Sequence, residues 1–159
     1  MERPMPTASA MFHHANRLRK AYHMLLSPLC RESGLPPMAL DILLYVANNP
    51  QNNTATQICE SRGFKSAIVS VHIERLVRAG LLCRRTDPSD RRKNCLCCTE
   101  AAAPLIEQGR MLQQTFADDL LAGLDRAQLE AMHACFVKID QNINAILAQS
   151  EEKGEKYHA

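Results

Sequence analysis

The residues of this chain best suited to chemistry are cations, and they are concentrated in one stretch. Residues 62–93 hold nine basic residues (Arg62, Lys65, Arg75, Arg78, Arg84, Arg85, Arg91, Arg92 and Lys93) against three acids, Glu74, Asp87 and Asp90. The rest of the chain carries ten basic and fourteen acidic residues. A cationic block inside an otherwise acidic chain suits a local polyanion-binding surface; a solvated, charge-rich loop is the other reading. Within the block, Asp90 and Arg92 stand two apart in a polar turn, where the carboxylate can hold the guanidinium in one orientation. Arg84, Arg85, Arg91 and Lys93 are placed to meet phosphates, contacts that give affinity without sequence information.

Thiols are the second candidate chemistry. Seven cysteines (Cys30, Cys59, Cys83, Cys95, Cys97, Cys98 and Cys135) form an odd set without a repeated CxxC spacing. Cys95 and Cys97 fall on one face of a strand, Leu96 and Cys98 on the other, and thiolates there suit a soft metal or a redox switch. No His or second Cys pair stands at structural-zinc spacing, so no metal site is expected. Cys59 and Cys135 fall on core-like stripes, where cysteine acts as a small hydrophobe. The cysteines are expected to be mainly structural, and reduced in the absence of a secretion signal. His13, His14 and His23 read as surface or interface residues. No Ser/His/Asp or Cys/His order and no phosphate-cradling glycine loop is present, so neither an enzyme nor a cofactor is expected. With no Trp, three Tyr and four Phe, a base-stacking platform for single strands is not expected either.

The 159 residues suit about one domain. Hydrophobic residues make up 46% and charged residues 23%, values of an ordinary globular chain. The longest apolar run, Ile42 to Ala47, is far short of the roughly 20 residues a membrane span needs, and Met1 to Ala10 has no apolar signal core. A soluble, cytoplasmic protein without a membrane partner is expected.

The periodicity then supplies the elements. Met11, Ala15, Leu18, Tyr22, Leu25 and Leu29 alternate spacings of three and four, a helix over about 9–29 with a coiled-coil-like seam and a stop at Pro28 and Gly34. A helix from Pro37 ends at Asn48-Asn49-Pro50. Thr54 and Gln57 form a capping box for a short helix to about 62, and Gly63 separates it from a helix over about 66–79 that Gly80 closes. That second helix turns Val69, Ile73, Leu76 and Val77 inward. Its outward face carries Ser66, Ala67, Ser70, Val71, Glu74 and Arg75, small and polar groups that let a helix sink into a major groove. Residues 81–85 and 94–98 alternate as strands about a polar turn. Thr99 reads as the N-cap of a helix over about 100–121, loosened by Pro104, with Leu105, Leu112, Phe116 and Leu120 on one stripe. Asp125 opens a last helix to about Ser150, with Leu129, Met132, Phe136, Ile139, Ile143 and Ile146 in register, before a polar tail. The fold class is mainly α with a small β-hairpin wing: a winged helix-turn-helix plus a helical dimerisation region, since the long helices carry more apolar stripe than one small domain covers.

The run Val69-Ser70-Val71-His72-Ile73-Glu74-Arg75-Leu76-Val77-Arg78-Ala79-Gly80-Leu81-Leu82, then Arg84-Arg85-Thr86-Asp87-Pro88-Ser89-Asp90-Arg91-Arg92 and Cys98-Thr99-Glu100, resembles the MarR family of bacterial transcription regulators. The resemblance covers about 35–150. It implies a dimerisation helix at 1–34, a winged helix-turn-helix at 35–99, dimerisation helices at 100–150 and a polar tail at 151–159. It also implies a homodimer on a palindromic double-stranded operator, acting as a repressor released by a ligand or signal. The DNA-contacting set would be Lys65, Ser66, Ala67, Ser70, Val71, Arg75, Arg84, Arg85, Asp90, Arg91, Arg92 and Lys93, with Arg92 in the minor groove. Two departures stand out. Lys65 replaces a family Ser or Thr and weakens the cap, for which Ser66 can substitute; Val71 replaces a frequent Arg. The family's small amphipathic, usually aromatic effectors would point to His13, Arg17, Met38, Tyr45 and Met111. The peroxide-sensing branch has its cysteine early in the first helix, and Met11 to Asn16 contains none; the zinc-sensing branch has a histidine run, and Gln108 to Gln114 contains none. Other readings are a thiol- or metal-responsive regulator of the same fold, and a winged-helix protein-interaction module without DNA binding.

Overall fold

A computed structural model describes residues 7–86 and 94–155. Six α-helices and one hairpin follow in the order α1 (Ala8–Ser33), α2 (Pro37–Asn48), α3 (Ala55–Arg62), α4 (Ser66–Arg78), β1 (Leu82–Thr86), β2 (Asn94–Cys98), α5 (Ala103–Leu121) and α6 (Arg126–Glu155). The chain divides into two compact units, Met1–Asp118 and Asp119–Ala159.

In the first unit, α2 is the central element. Its residues Ala39 to Val46 are all buried, so the apolar run that is too short for a membrane is a core helix. On one side Leu40 and Leu44 meet Leu26, Leu29 and Cys30 of α1. On the other, Ile42, Leu43 and Val46 join Ile58 of α3, Val69, Ile73 and Leu76 of α4, Leu82 and Leu96 of the hairpin and Ile106 of α5. Helix α5 comes close to α2 at Gly109, where an added Cβ would lie 2.5 Å from Leu44 Cδ2. The hairpin is antiparallel, with Leu82 opposite Cys98, Cys83 opposite Cys97 and Arg85 opposite Cys95. Asn53 covers the free edge of β2, its carbonyl accepting from the Leu96 N–H at 2.9 Å.

Local chemistry sets the boundaries. Thr54 and Gln57 make the full capping box, and Asp125 and Gln128 exchange the same pair of bonds at α6. Four expectations are corrected. Pro28 does not stop α1, which runs on to a left-handed Gly34; the helix bond proline removes is to the carbonyl of Met24, on an exposed flank where water can replace it. Thr99 holds the N-cap position, but of a 3₁₀ turn, Glu100–Ala102, that precedes α5, and its side chain makes no cap bond: its hydroxyl donates to the Gly80 carbonyl at 2.6 Å. Pro104 therefore falls in the first turn of α5, where its missing N–H costs nothing. Helix α6 continues past Ser150 to Glu155, through residues expected to be tail.

The second unit is the end of α5, a turn at Gly123 and α6. Phe136, Val137, Ile139, Ile143 and Leu147 of α6 are exposed. Cys135, expected on a core-like stripe, is exposed too, because this unit brings no second helix of its own across that stripe. Among the described residues no helix is long and apolar enough to cross a membrane.

Candidate nucleic-acid interface

Helix α4 is anchored by one face and open on the other. Val69, Ile73 and Leu76 are buried, at spacings of four and three, while Ser66, Ala67, Ser70, Val71 and Arg75 are all exposed. Val71 is 62% exposed and Ile68, which lies outside the outward-facing set expected from the sequence, is 42% exposed. Small hydroxyl and apolar groups together suit base edges and thymine methyls in a major groove. Lys65 is the N-cap residue, and its side chain makes no cap bond; Ser66 is the first helical residue rather than a substitute cap. His72, half-buried on α4, has its pKa lowered by burial and then by Arg75, which favours a neutral ring.

The hairpin extends the cationic surface beside this helix. Arg84 donates to Glu74 at 3.0 Å, so Glu74 ties β1 to α4, and Arg85 stands exposed on β1. Asp90, Arg91, Arg92 and Lys93 lie outside the described residues.

Behind the surface is a polar junction that the sequence did not advertise. Asp41 of α2 is only 4% exposed, and its Oδ1 lies 3.5 Å from an Arg62 guanidinium nitrogen of α3. Among the described residues, neither that oxygen nor Arg62 Nε has a well-aligned hydrogen bond; the attraction is charge on charge, and the guanidinium also lies 5.1 Å from the centre of the Tyr45 ring. Burial raises the pKa of Asp41, opposed by Arg62, His23 and the Tyr22 hydroxyl. Tyr22 in turn accepts from Gln113 Nε2 at 2.6 Å and stacks edge-on with Phe116. Arg110 completes the seam, donating to Asn48 Oδ1 and to the Ala47 carbonyl at the end of α2, where a cation is favoured by the helix dipole. Four helices, α1, α2, α3 and α5, thus meet through one set of polar contacts.

The remaining candidates are dispersed over the first unit. His13 and Arg17 are exposed, Met38 packs against the core, Tyr45 is buried in it and Met111 is 65% exposed. A cleft of about 430 Å³ is lined by other residues, among them Arg19, Lys20, His23, Asn16 and Ser27. Cys98 faces the core, and burial first, then Cys97, raises its thiol pKa. Cys83, Cys95 and Cys97 are half-buried.

Comparison with known proteins bears on the winged segment directly, since residues 33–93 match the model of the MarR family. This winged-helix segment is similar to the MarR family. The MarR-type fold extends over most of the chain. S. aureus MepR, solved in complex with DNA, is 18% identical, with 86% of this chain and 96% of that one covered at a TM-score of 0.67. A protein described as a MarR-family transcriptional regulator of Listeria monocytogenes, solved with a 26mer DNA, is 15% identical, with 90% of each chain covered at 0.72. Bordetella bronchiseptica BpsR, whose DNA binding is regulated by 6-hydroxynicotinic acid, is 22% identical, with 82% of this chain and 98% of that one covered at 0.61.

Proposed function

We propose that this MarR-type chain is a sequence-specific double-stranded DNA-binding transcription regulator, a homodimer that represses at a palindromic operator and is released by a ligand or signal. The observation that carries this reading is α4, anchored by Val69, Ile73 and Leu76 with Ser66, Ala67, Ser70, Val71 and Arg75 exposed beside the exposed cations of β1. Such a helix reads bases in the major groove, while the wing adds cations that follow the backbone. The resemblance at Asp90-x-Arg92 supports a minor-groove arginine beside each half-site, where narrow A·T-rich flanks concentrate negative potential. MepR and the Listeria protein, both solved with DNA, support the same binding mode. BpsR supports a small aromatic effector. Dimerisation is supported by the exposed apolar residues of α6, and twofold symmetry would give the palindrome.

Selection of genomic fragments on the immobilised full chain, followed by fluorescence anisotropy on the recovered duplexes, tests the proposal. A recurring inverted repeat, bound with a steep inverse dependence on salt, is expected. Recovery of fragments without a shared sequence, together with salt-independent or absent binding, would favour a protein-interaction module instead.

A further inference from the structure

The hairpin brings together a thiol pair that linear spacing separates. Cys83 of β1 and Cys97 of β2 are direct cross-strand partners, fourteen positions apart in the chain. Their place in the ladder follows from two bonds. The Thr99 N–H donates to the Leu81 carbonyl at 3.1 Å, and the Leu96 N–H is spent outward on Asn53. Hydrogen-bonded pairs alternate along an antiparallel ladder, so Leu81/Thr99 and Cys83/Cys97 are hydrogen-bonded pairs and Arg84/Leu96 is not. Such a pair holds its Cα atoms about 5.5 Å apart, within the roughly 4.4–6.8 Å that a disulfide spans. Leu82 and Leu96 are buried, which turns Cys83 and Cys97 to the opposite, half-exposed face. Cys95 and Arg85, themselves paired, lie on that same face one alternation further along.

We infer that Cys83 and Cys97 form an oxidative modification site, a reversible cross-strand disulfide in the stem of the wing made by hydroperoxides. One thiolate attacks a peroxide oxygen; the O–O bond breaks, a sulfenic acid forms and hydroxide leaves to be protonated. The second thiolate attacks the sulfenic sulfur, the S–S bond forms and the hydroxyl leaves as water. The sum is two thiols and one hydrogen peroxide giving one disulfide and two waters, the two electrons passing from sulfur to peroxide. Reduction by a dithiol through exchange restores the pair. Among the described residues no three metal-ligating side chains converge, so Cys95 does not complete a metal site, and a pair of opposed thiols favours a disulfide over a bound ion. Cys98 is set apart by facing the core, where its thiol packs. The inference rests on strand register alone and does not depend on what the wing binds.

The full-length reduced chain, freed of metals with a chelator and treated with one equivalent of hydrogen peroxide, provides the test. Intact mass should fall by two hydrogens and two free thiols should disappear, both reversed by dithiothreitol. Trypsin, cutting after Arg78, Arg84, Lys93 and Arg110, should yield peptide 79–84, whose one thiol is Cys83, linked to peptide 94–110. Fragment ions should assign the second sulfur to Cys97. The linked peptide should vanish in Cys83→Ser and Cys97→Ser and persist in Cys95→Ser and Cys98→Ser, with circular dichroism checking that each variant folds. Fragment ions from the wild-type chain decide the matter even if a variant does not fold. Linkage through Cys95 or Cys98, oxidation only to sulfinic acid, or unreacted Cys83 and Cys97 would each overturn the proposal. So would a chelator-resistant metal ion that protects Cys83, Cys95 and Cys97 from alkylation.

Discussion

At the residue scale, the decisive groups are a buried acid and an arginine outside the described residues. Asp41 is removed from water beside a partly exposed cation, Arg62. Removing one member of a buried pair is strongly destabilising, but the exposure of Arg62 lets solvent screen the charge left behind; Asp41→Ala should therefore cost about 1–3 kcal/mol. Its pH dependence has an unusual sign for a paired carboxylate. Because burial raises the folded pKa, the folded chain holds this proton after the unfolded chain has released it at about 3.9. Stability contributed by Asp41 is thus full below that value and declines as pH rises through the raised folded pKa. Thermal unfolding of wild type and Asp41→Asn across this range should show the wild-type advantage shrinking with rising pH; an advantage that grows would contradict the burial argument. For Arg92, the proposed minor-groove contact predicts that Arg92→Ala lowers the salt slope of log K by about one unit per subunit. The loss should be largest on A·T-rich flanks, with Asp90→Ala a milder copy. Ser70→Ala should change preference among operators more than overall affinity. Anisotropy over a salt series on duplexes differing only in their flanks measures both, and an unchanged slope for Arg92→Ala would mean that the wing does not grip DNA.

Elements depend on close approach as much as on pattern. Helix α5 meets α2 at Gly109, where a Cβ would lie 2.5 and 2.9 Å from the two Leu44 methyl carbons. Leu44 is fully buried, so its methyls yield only by leaving a packed rotamer. Alanine gains roughly 1 kcal/mol of helix propensity over glycine, yet overpacking a core costs about 1–3 kcal/mol, and the contact is severe. Gly109→Ala should lower stability by about 1–2 kcal/mol, read as a reduced midpoint in urea with an unchanged slope. A stabilised variant would mean that α5 moves away from α2 at little cost. The same crossing carries Arg110 and Gln113 to the end of α2 and to Tyr22, so a strained crossing should weaken these polar contacts as well.

For the whole molecule, the prediction concerns assembly. Phe136, Ile139, Ile143 and Leu147 repeat at helical spacing and are exposed on α6, and the proposed homodimer would bury that stripe. Replacing Ile139 and Ile143 together by Asp should give a monomer or an aggregate, because unpaired charge would enter an apolar contact. Light scattering over a dilution series checks it. A stable wild-type monomer at micromolar concentration would remove the dimer, and with it the reason to expect a palindromic operator.

Local signals were legible in the sequence because neighbouring residues decide them. Thr54 and Gln57, Asp125 and Gln128, Gly34 and Gly80 marked helix ends, and the spacing of Val69, Ile73 and Leu76 gave the buried face of α4 and hence its open face. The order of elements, and with it the winged helix-turn-helix, followed from those signals and from the Gly80-Leu81 and Asp87-Pro88-x-Asp90-Arg91-Arg92 stretch. What only the tertiary structure decided were relations between distant residues. Thr99 is spent on Gly80 rather than on a helix cap, because the hairpin returns it there. Asp41 reads as one polar residue in an apolar helix until folding brings Arg62 and Tyr22 to it. Cys83 shares no local spacing with Cys97; their opposition depends on strand register, which is fixed by the burial of Leu82 and Leu96 on the other face. Sequence separation is no guide where the backbone reverses direction, and each of these pairs is joined across such a reversal.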